Sequence, residues 1–137
     1  MADALKFFSQ EWCDAAREAV NANPEVYKGF KDANSFTNSM AFRTVDGGPV
    51  TTMEWDKGKL ISWSPTTEID EDSLWVIVDG PISTWQQGAA GDELAGKLLM
   101  SGKMKLAKGP MSAAVENAGA LNNFLLTWGQ VPTNWTH

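Results

Sequence analysis

The sequence offers few residues that could carry out chemistry, and the first candidates are nucleophiles that need a base. His137 is the only histidine and the last residue of the sequence, where side chains are generally mobile. A Ser-His-Asp or Cys-His pair would therefore lack a fixed base. The only cysteine, Cys13, lies near Glu11 and Asp14, and neighbouring carboxylates disfavour the reactive thiolate. We predict an inert thiol and no catalytic residue of this kind.

Paired carboxylates are a second kind of candidate. Glu54 and Asp56 lie two positions apart and could act as an acid and a base on one face of a strand. Met53 and Trp55 alternate with them, which predicts that the apolar residues face the interior and the carboxylates face solvent.

Two charged clusters could bind ions or head groups. The acidic cluster lacks the glycine and the alternating oxygen spacing of a calcium loop, so we predict an acidic loop and no metal site. The basic cluster has two interpretations, the solvated face of an edge strand or a docking surface for an anionic head group or membrane. The glycine spacing matches no nucleotide-binding loop, so we expect no cofactor. The acidic cluster is Glu68, Asp70, Glu71 and Asp72, and the basic cluster is Lys97, Lys103, Lys105 and Lys108.

Composition narrows the class of protein. The 137 residues are 43% hydrophobic and include seven tryptophans, which is typical of one folded domain over residues 1–137. A net charge of −6 disfavours nucleic acid as a partner and predicts at most transient contact with anionic membranes. No apolar run is long enough to cross a bilayer, and the start of the sequence lacks a secretory signal. With a single cysteine, these features predict a cytoplasmic protein.

Apolar spacing predicts the elements that must position any site. A helical stripe runs from Leu5 to Val20 and stops at Asn23-Pro24, and a short helical piece follows. Alternation then predicts a meander of three strands, with tight turns between them. The helical piece covers residues 26–30, the strands cover residues 36–45, 51–55 and 61–65, and the turns cover residues 46–49 and 56–59.

The segment after the meander predicts an interior strand and a short helix. Residues 74–78 are apolar on both faces, which is typical of a strand covered on both sides. Pro81 at the first helical position starts the helix, which Gly88 and Gly91 end.

The most informative stretch follows that helix. Residues 101–108 alternate between apolar and small or charged side chains, which predicts a strand that Gly109-Pro110 stops. From Met111 to Trp128 the apolar residues recur every three or four positions, which predicts one continuous amphipathic helix. Helices at both ends with strands between them indicate an α+β sheet with helices on one face.

This order of residues resembles the sterol carrier protein 2 family. The order of elements extends the resemblance over most of the chain, although no fixed motif matches before residue 74. The resemblance implies an α+β fold in which a five-stranded sheet with helices packed on one face encloses an apolar tunnel. The matching residues are Met100, Ser101, Gly102, Lys103, Met104, Lys105, Leu106, Lys108, Gly109, Met111, Ala113, Ala114 and Leu121.

The resemblance also implies non-enzymatic binding, and transfer, of sterols, fatty acids or fatty acyl thioesters. A tunnel and a packed core are lined by the same residue types, but unbranched methionines adapt well to variable shapes. We expect a lipid-like small molecule to contact the apolar faces of the sheet and the last helix. The predicted ligand-binding residues are Phe36, Met40, Phe42, Met53, Trp55, Trp63, Met100, Met104, Leu106, Leu121, Leu125 and Trp128.

Two other functions stay open at this point. An accessory domain could hold a partner protein, or a second copy in a homodimer, in an exposed apolar groove. An acyl-transfer or lipid-modifying enzyme is the other alternative, and the shortage of fixed bases counts against it.

Overall fold

The structure, a computed structural model, describes residues 4–45 and 48–135 of the chain. Of the residues discussed above, Asp46, Gly47 and His137 lie outside these ranges. The helices are α1 (Gln10–Ala22), α2 (Pro24–Gly29), α3 (Ile82–Ala90), α4 (Ala95–Ser101), α5 (Met111–Glu116) and α6 (Ala118–Trp128). The strands are β1 (Leu5–Lys6), β2 (Asn38–Thr44), β3 (Val50–Asp56), β4 (Lys59–Thr66), β5 (Val76–Gly80), β6 (Lys105–Lys108) and β7 (Thr133–Asn134).

Strands β2 to β6 form one sheet in the order β4-β3-β2-β5-β6, while β1 and β7 pair separately in parallel. The predicted meander is present, because β3 is antiparallel to both β2 and β4. β5 lies on the other side of β2 and runs parallel to it, and β6 completes the sheet antiparallel to β5. The predicted five-stranded sheet of an α+β fold is confirmed.

The main core lies between one face of this sheet and the helices. Phe42 and Val78 belong to that face and are 0% and 3% exposed. The opposite face carries a smaller buried cluster of Ala41, Leu74 and Ile77. The predicted packing of helices on one face is therefore confirmed. Among the described helices, none is both long and apolar enough to cross a membrane.

The first helix begins at Gln10, later than the start at Leu5 that the apolar stripe predicted. Ser9 caps α1, and its Oγ accepts a hydrogen bond from the backbone N–H of Trp12 at 3.3 Å. Leu5 lies in β1, and Phe8 has a left-handed backbone with φ 63°. Both side chains pack with the core from outside the helix. Cys13, predicted beside the apolar stripe, is fully buried.

Turn residues set several boundaries close to the predicted positions. Asn23 ends α1, and its Oδ1 accepts a backbone hydrogen bond at 3.0 Å that caps α2. Pro81 is the N-cap of α3 instead of its first residue, and Gly91, with φ 78°, ends that helix. Gly88 lies inside α3, where an added Cβ would come within 2.8 Å of Leu125 Cδ1.

The strand predicted over residues 101–108 is only half present. α4 precedes it and buries Ala95, Leu98 and Leu99, which recur at helical spacing. Gly102 ends α4 in the left-handed conformation with φ 82°, and β6 contains only the last four residues of the predicted strand. The alternating pattern therefore included the end of α4, where glycine permits the left-handed backbone that terminates the helix.

The predicted last helix is divided into α5 and α6 at Asn117. Asn117 Nδ2 donates to the carbonyl of Ala113 at 2.9 Å, and its Oδ1 accepts from the backbone N–H of Lys31 at 3.0 Å. Such side-chain hydrogen bonds compete with the backbone hydrogen bonds of a continuous helix. Met111 and Val115, predicted on the buried stripe, are 44% and 59% exposed. The buried stripe belongs to α6 alone.

Candidate functional site

Interlocked aromatic rings fill one part of the space between the sheet and the helices. Trp12 lies edge-on to Trp63 and Trp128, with ring centroids 5.2 and 5.1 Å apart. Trp63 Nε1 donates to Thr51 Oγ1 at 2.9 Å, so this indole is satisfied inside the protein. We call these rings the aromatic cluster, which comprises the buried side chains of Phe7, Phe8, Trp12, Trp63, Trp85 and Trp128.

Another part of the same space holds an apolar cavity of about 60 Å³. Among the described residues that line it, Asn117 alone has a polar side chain, and none is ionisable. The lining residues are Phe30, Phe36, Met40, Phe42, Trp55, Trp75, Val76, Val78, Leu99, Leu106, Ala113, Ala114, Asn117, Ala120, Leu121 and Phe124.

Strand pairing builds the floor of the cavity. Met40 lies opposite Val76 and Phe42 lies opposite Val78 in the parallel pair β2–β5. Leu106 lies opposite Val78 and extends the same surface onto β6. Because side chains alternate along a strand, these partners point to one face of the sheet.

Small residues on the two last helices build the roof. Ala113 and Ala114 line the cavity from α5, and Ala120, Leu121 and Phe124 line it from α6. Three of these five residues are alanines, whose side chains end at Cβ and fill less space than larger side chains would. The cavity therefore lies where the roof is composed mainly of small side chains.

Aromatic residues from loops and strand ends form a side wall. The Phe30 and Phe36 rings lie 4.3 Å apart between centroids. Trp55 and Trp75 pack edge-on to Phe36 at 5.5 and 5.8 Å. These rigid rings give the wall a defined shape.

A surface depression adjoins the cavity. It shares Phe36, Trp75, Ala113 and Asn117 with the cavity lining. Lys31 and Glu116 also line the depression, and their charged groups pair at 3.0 Å. The opening therefore lies beside α5, which this ion pair connects to the segment after α2.

The structure divides the predicted ligand-binding residues into three groups. Met100 is 76% exposed on α4 and lies outside the interior. The residues that line the cavity are Phe36, Met40, Phe42, Trp55, Leu106 and Leu121. The residues that lie in the core without lining the cavity are Met53, Trp63, Met104, Leu125 and Trp128.

Other cavity residues were missed by the sequence analysis. Pairing of the predicted interior strand with the meander would have identified Val76 and Val78, and the small residues at 113–120 would have indicated a thin roof. Phe30 carries no sequence signal of its own. The additional lining residues are Phe30, Trp75, Val76, Val78, Leu99, Ala113, Ala114, Asn117, Ala120 and Phe124.

The candidate catalytic residues do not line the cavity in the described part of the chain. Burial raises the pKa of the Cys13 thiol far above its ordinary range, and the charge of Asp14 raises it further. The predicted inert thiol matches this environment. Glu54 and Asp56 are exposed on β3, as predicted from their alternation with apolar residues.

The acidic cluster is involved in local structural contacts. Asp70 Oδ1 accepts from the backbone N–H of Asp72 at 3.2 Å, and Glu71 pairs with Arg43 at 3.5 Å. Within residues 4–45 and 48–135, no group of three histidine, cysteine or acidic side chains is arranged to hold a metal ion.

The basic cluster is also partly paired. Lys103 forms an ion pair with Glu93 at 3.1 Å, and Lys108 Nζ donates to the backbone carbonyl of Glu71. Lys105 and Lys108 belong to β6, which is an edge strand. Lysines at this position block further strand pairing.

This α+β fold, with a five-stranded sheet and helices, matches the fold of sterol carrier protein 2 structures. A crystal structure of sterol carrier protein 2 matches with a TM-score of 0.78 and 19% identity, covering 91% of this chain and 98% of that chain. The apo form of sterol carrier protein 2 from Yarrowia lipolytica matches with a TM-score of 0.52 and 20% identity, covering 88% and 89%.

A conserved hypothetical protein from Thermus thermophilus, described as possibly a sterol carrier protein, has a similar structure. Its solution structure matches with a TM-score of 0.76 and 18% identity, covering 97% of this chain and 94% of that chain. No protein-family model matches the sequence, and no curated protein matches it significantly. At these identities the likeness establishes the fold, and the resemblance seen in the sequence is confirmed at that level.

Proposed function

We propose that the chain, acting as one domain, binds a lipid-like small molecule in the apolar cavity and can transfer it between carriers. The observation that carries the proposal is a cavity whose lining, among the described residues, includes no ionisable side chain, next to a core that contains the aromatic cluster. The fold shared with structures named sterol carrier protein 2 supports a sterol-like ligand. The resemblance of the sequence adds fatty acids and fatty acyl thioesters to the proposed ligand class.

The size of the cavity implies that the ligand must enlarge it. Its volume of about 60 Å³ is well below the roughly 300 Å³ at the lower end of small-molecule sites. We take α5 to be the part that moves, because it is the described α-helix in which none of the six residues is buried. In the proposed mechanism, α5 moves away from the sheet as the ligand enters through the adjoining depression.

Apolar burial supplies the driving force. Burying about 400 Å² of ligand surface contributes on the order of 10 kcal/mol before the costs of association and ordering. The remainder is compatible with micromolar to nanomolar affinity, even when part of it is used to displace α5. Because apolar contacts discriminate poorly between chain lengths, we expect several related ligands to bind.

The proposal describes a binding protein of the cytosol and not an enzyme. Cys13 is buried with a raised thiol pKa, and Glu54 and Asp56 are exposed away from the cavity, so neither supplies a reactive group there. A partner-binding domain is the second candidate, because Met111 and Val115 expose apolar surface beside the opening. Membrane contact is proposed to be transient, given the net charge of −6.

Lipid occupancy tests the proposal directly. Purified, delipidated and folded protein should bind a fluorescent fatty acid with one-to-one stoichiometry, and unlabelled long-chain lipid should displace the probe. Native mass spectrometry of the protein as purified should show a lipid-sized mass on the monomer. No saturable binding in the titration together with a self-associated, lipid-free protein would favour the partner-binding alternative instead.

A further inference from the structure

Two polar groups at the apolar cavity have no hydrogen-bond partner among the described residues. These groups are Trp55 Nε1 and Asn38 Oδ1, and both atoms are buried. Trp55 is 4% exposed and lines the cavity, and Asn38 lines the adjoining depression. Unpaired buried polar groups are costly, so a ligand that pairs with them would gain free energy.

Several other buried indoles are paired inside the protein. Trp12 Nε1 donates to Thr133 Oγ1 at 2.8 Å, and Trp85 Nε1 donates to the carbonyl of Gly80 at 3.0 Å. Trp128 Nε1 is also unpaired among the described residues, but this side chain lies in the aromatic cluster and does not line the cavity. It therefore provides a matched control.

Strand register places the two residues that carry these groups opposite each other. Asn38 on β2 lies directly opposite Trp55 on β3. Directly opposed residues of an antiparallel pair project from the same face, with Cβ atoms about 5 Å apart. A ligand group that pairs with Trp55 at the cavity therefore lies next to the residue that supplies Asn38 Oδ1 from the depression.

The charges around the opening disfavour an anionic head group. None of the described cavity residues is a cation, and Lys31 in the depression is paired with Glu116 at 3.0 Å. Asn117 uses its amide to contact Ala113 and Lys31, so it is already engaged. A carboxylate would be buried without a counter-ion, and it would place its charge against the lone pairs of Asn38 Oδ1.

A hydroxyl group matches this donor and acceptor pair, because it can accept one hydrogen bond and donate another. We propose that Trp55 and Asn38 are specificity-determining residues that select an uncharged amphiphile with a terminal hydroxyl, such as a long-chain alcohol. The hydroxyl oxygen accepts from Trp55 Nε1–H, and the hydroxyl hydrogen is donated to Asn38 Oδ1. This inference rests on the proposed function and assigns the polar end of the same site.

Three probes with the same twelve-carbon chain test the assignment by isothermal titration calorimetry: dodecanol, dodecyl methyl ether and dodecanoate above its pKa. Dodecanol should bind roughly tenfold more tightly than the ether, which cannot donate to Asn38 although it is the more apolar molecule. Dodecanoate should bind more weakly than dodecanol.

Variants assign each hydrogen bond. Trp55→Phe should weaken dodecanol and the ether by roughly five- to tenfold, whereas Asn38→Leu should weaken dodecanol alone. Trp128→Phe removes an unpaired indole outside the cavity and should leave every affinity unchanged. As a control, thermal unfolding of each variant is measured to confirm that the variant is folded.

The possible failures are distinguishable. If none of the probes binds, the proposed function itself is wrong. If dodecanol and the ether bind equally and both variants are neutral, the cavity accepts lipid but the head-group assignment is wrong. Tighter binding of dodecanoate than of dodecanol would also overturn the assignment, because it would show that the site selects an anion.

Discussion

Gly109 occupies a backbone position that a larger residue cannot adopt without strain. Its φ is +115°, and an added Cβ would lie 2.7 Å from Val76 Cγ2 and 3.1 Å from the carbonyl oxygen of Trp75. The residue therefore lets the chain pass close to the start of β5 before α5 begins. Gly102 also has a positive φ, of +82°, but a Cβ there would meet no atom within 4 Å.

These two glycines allow backbone strain and steric overlap to be measured separately. We expect Gly102→Ala to lower the free energy of unfolding by about 1 kcal/mol through strain alone. Gly109→Ala should lower it by at least about 1 kcal/mol more, because the β5 backbone must also move. Urea unfolding of both variants measures the difference. Equal losses would show that the approach to Val76 is not a tight constraint.

The Cys13 thiol should be unreactive while the protein is folded. Because burial raises its pKa, the native state holds the thiol proton at a pH where the unfolded chain has lost it. The folded pKa is the higher one, so this contribution to stability is complete below the ordinary value of 9.0 and is lost as pH rises above it. The free energy of unfolding should fall by up to about 1.4 kcal/mol per pH unit there.

Cys13→Ala isolates this effect from the other groups that titrate at high pH. The variant should show a shallower decline in the free energy of unfolding than the original protein over the same pH range. A thiol reagent should label the original protein only after urea unfolding. Rapid labelling of the folded protein would contradict the buried environment assigned to this side chain.

At the scale of elements, α6 serves two parts of the interior. Leu125 faces the close-packed core, since it is 0% exposed and limits the space at Gly88 on α3. Leu121 and Phe124 line the cavity together with Ala114 of α5. The side chains of Ala114, Leu121 and Phe124 therefore contact the potential ligand site, whereas Leu125 contacts the packed core.

Adding volume in the two parts should have opposite consequences. Ala114→Phe should fill the cavity, lower lipid affinity about tenfold or more, and change the free energy of unfolding by less than about 1 kcal/mol. Leu125→Trp should instead lower the free energy of unfolding by about 1 to 3 kcal/mol because the core has no room for it. Lipid titration and urea unfolding of both variants test this. Undiminished lipid affinity in a folded Ala114→Phe protein would contradict the position assigned to the ligand.

At the scale of the whole molecule, charge should govern encounters with membranes. The net charge of −6 repels anionic lipid surfaces over a Debye length of about 10 Å at moderate salt. The basic cluster does not offset this repulsion, because Lys103 and Lys108 already contact acidic segments of the protein. Electrostatics therefore favours contact with uncharged membranes.

Lipid transfer rates test this expectation. A fluorescent lipid should move to the protein faster from zwitterionic phosphatidylcholine vesicles than from vesicles that contain phosphatidylserine, and added salt should reduce the difference. Lys105→Gln should leave both rates nearly unchanged. Faster transfer from the anionic vesicles, with a loss in the Lys105→Gln variant, would instead support the docking interpretation of the basic cluster.

Much of the fold follows from patterns that act locally. Alternation identified the meander, because each strand has one buried face, and the resemblance in residues 100–121 implied the five-stranded sheet. Local patterns failed where a competing contact decided the backbone conformation. Residues 95–101 formed a helix because their apolar side chains reach the core from α4, and Asn117 divided the last helix through bonds to Ala113 and Lys31.

The sequence by itself determined which side chains are apolar, which strand faces are buried and that the protein carries a net charge of −6. Only the tertiary structure decided that Trp63 and Trp128 pack into the aromatic cluster while Trp55 lines a cavity. The reason is that periodicity reports the direction of a side chain from its own element. Whether space remains beyond that side chain depends on the size of residues on other elements, here the alanines of α5 and α6.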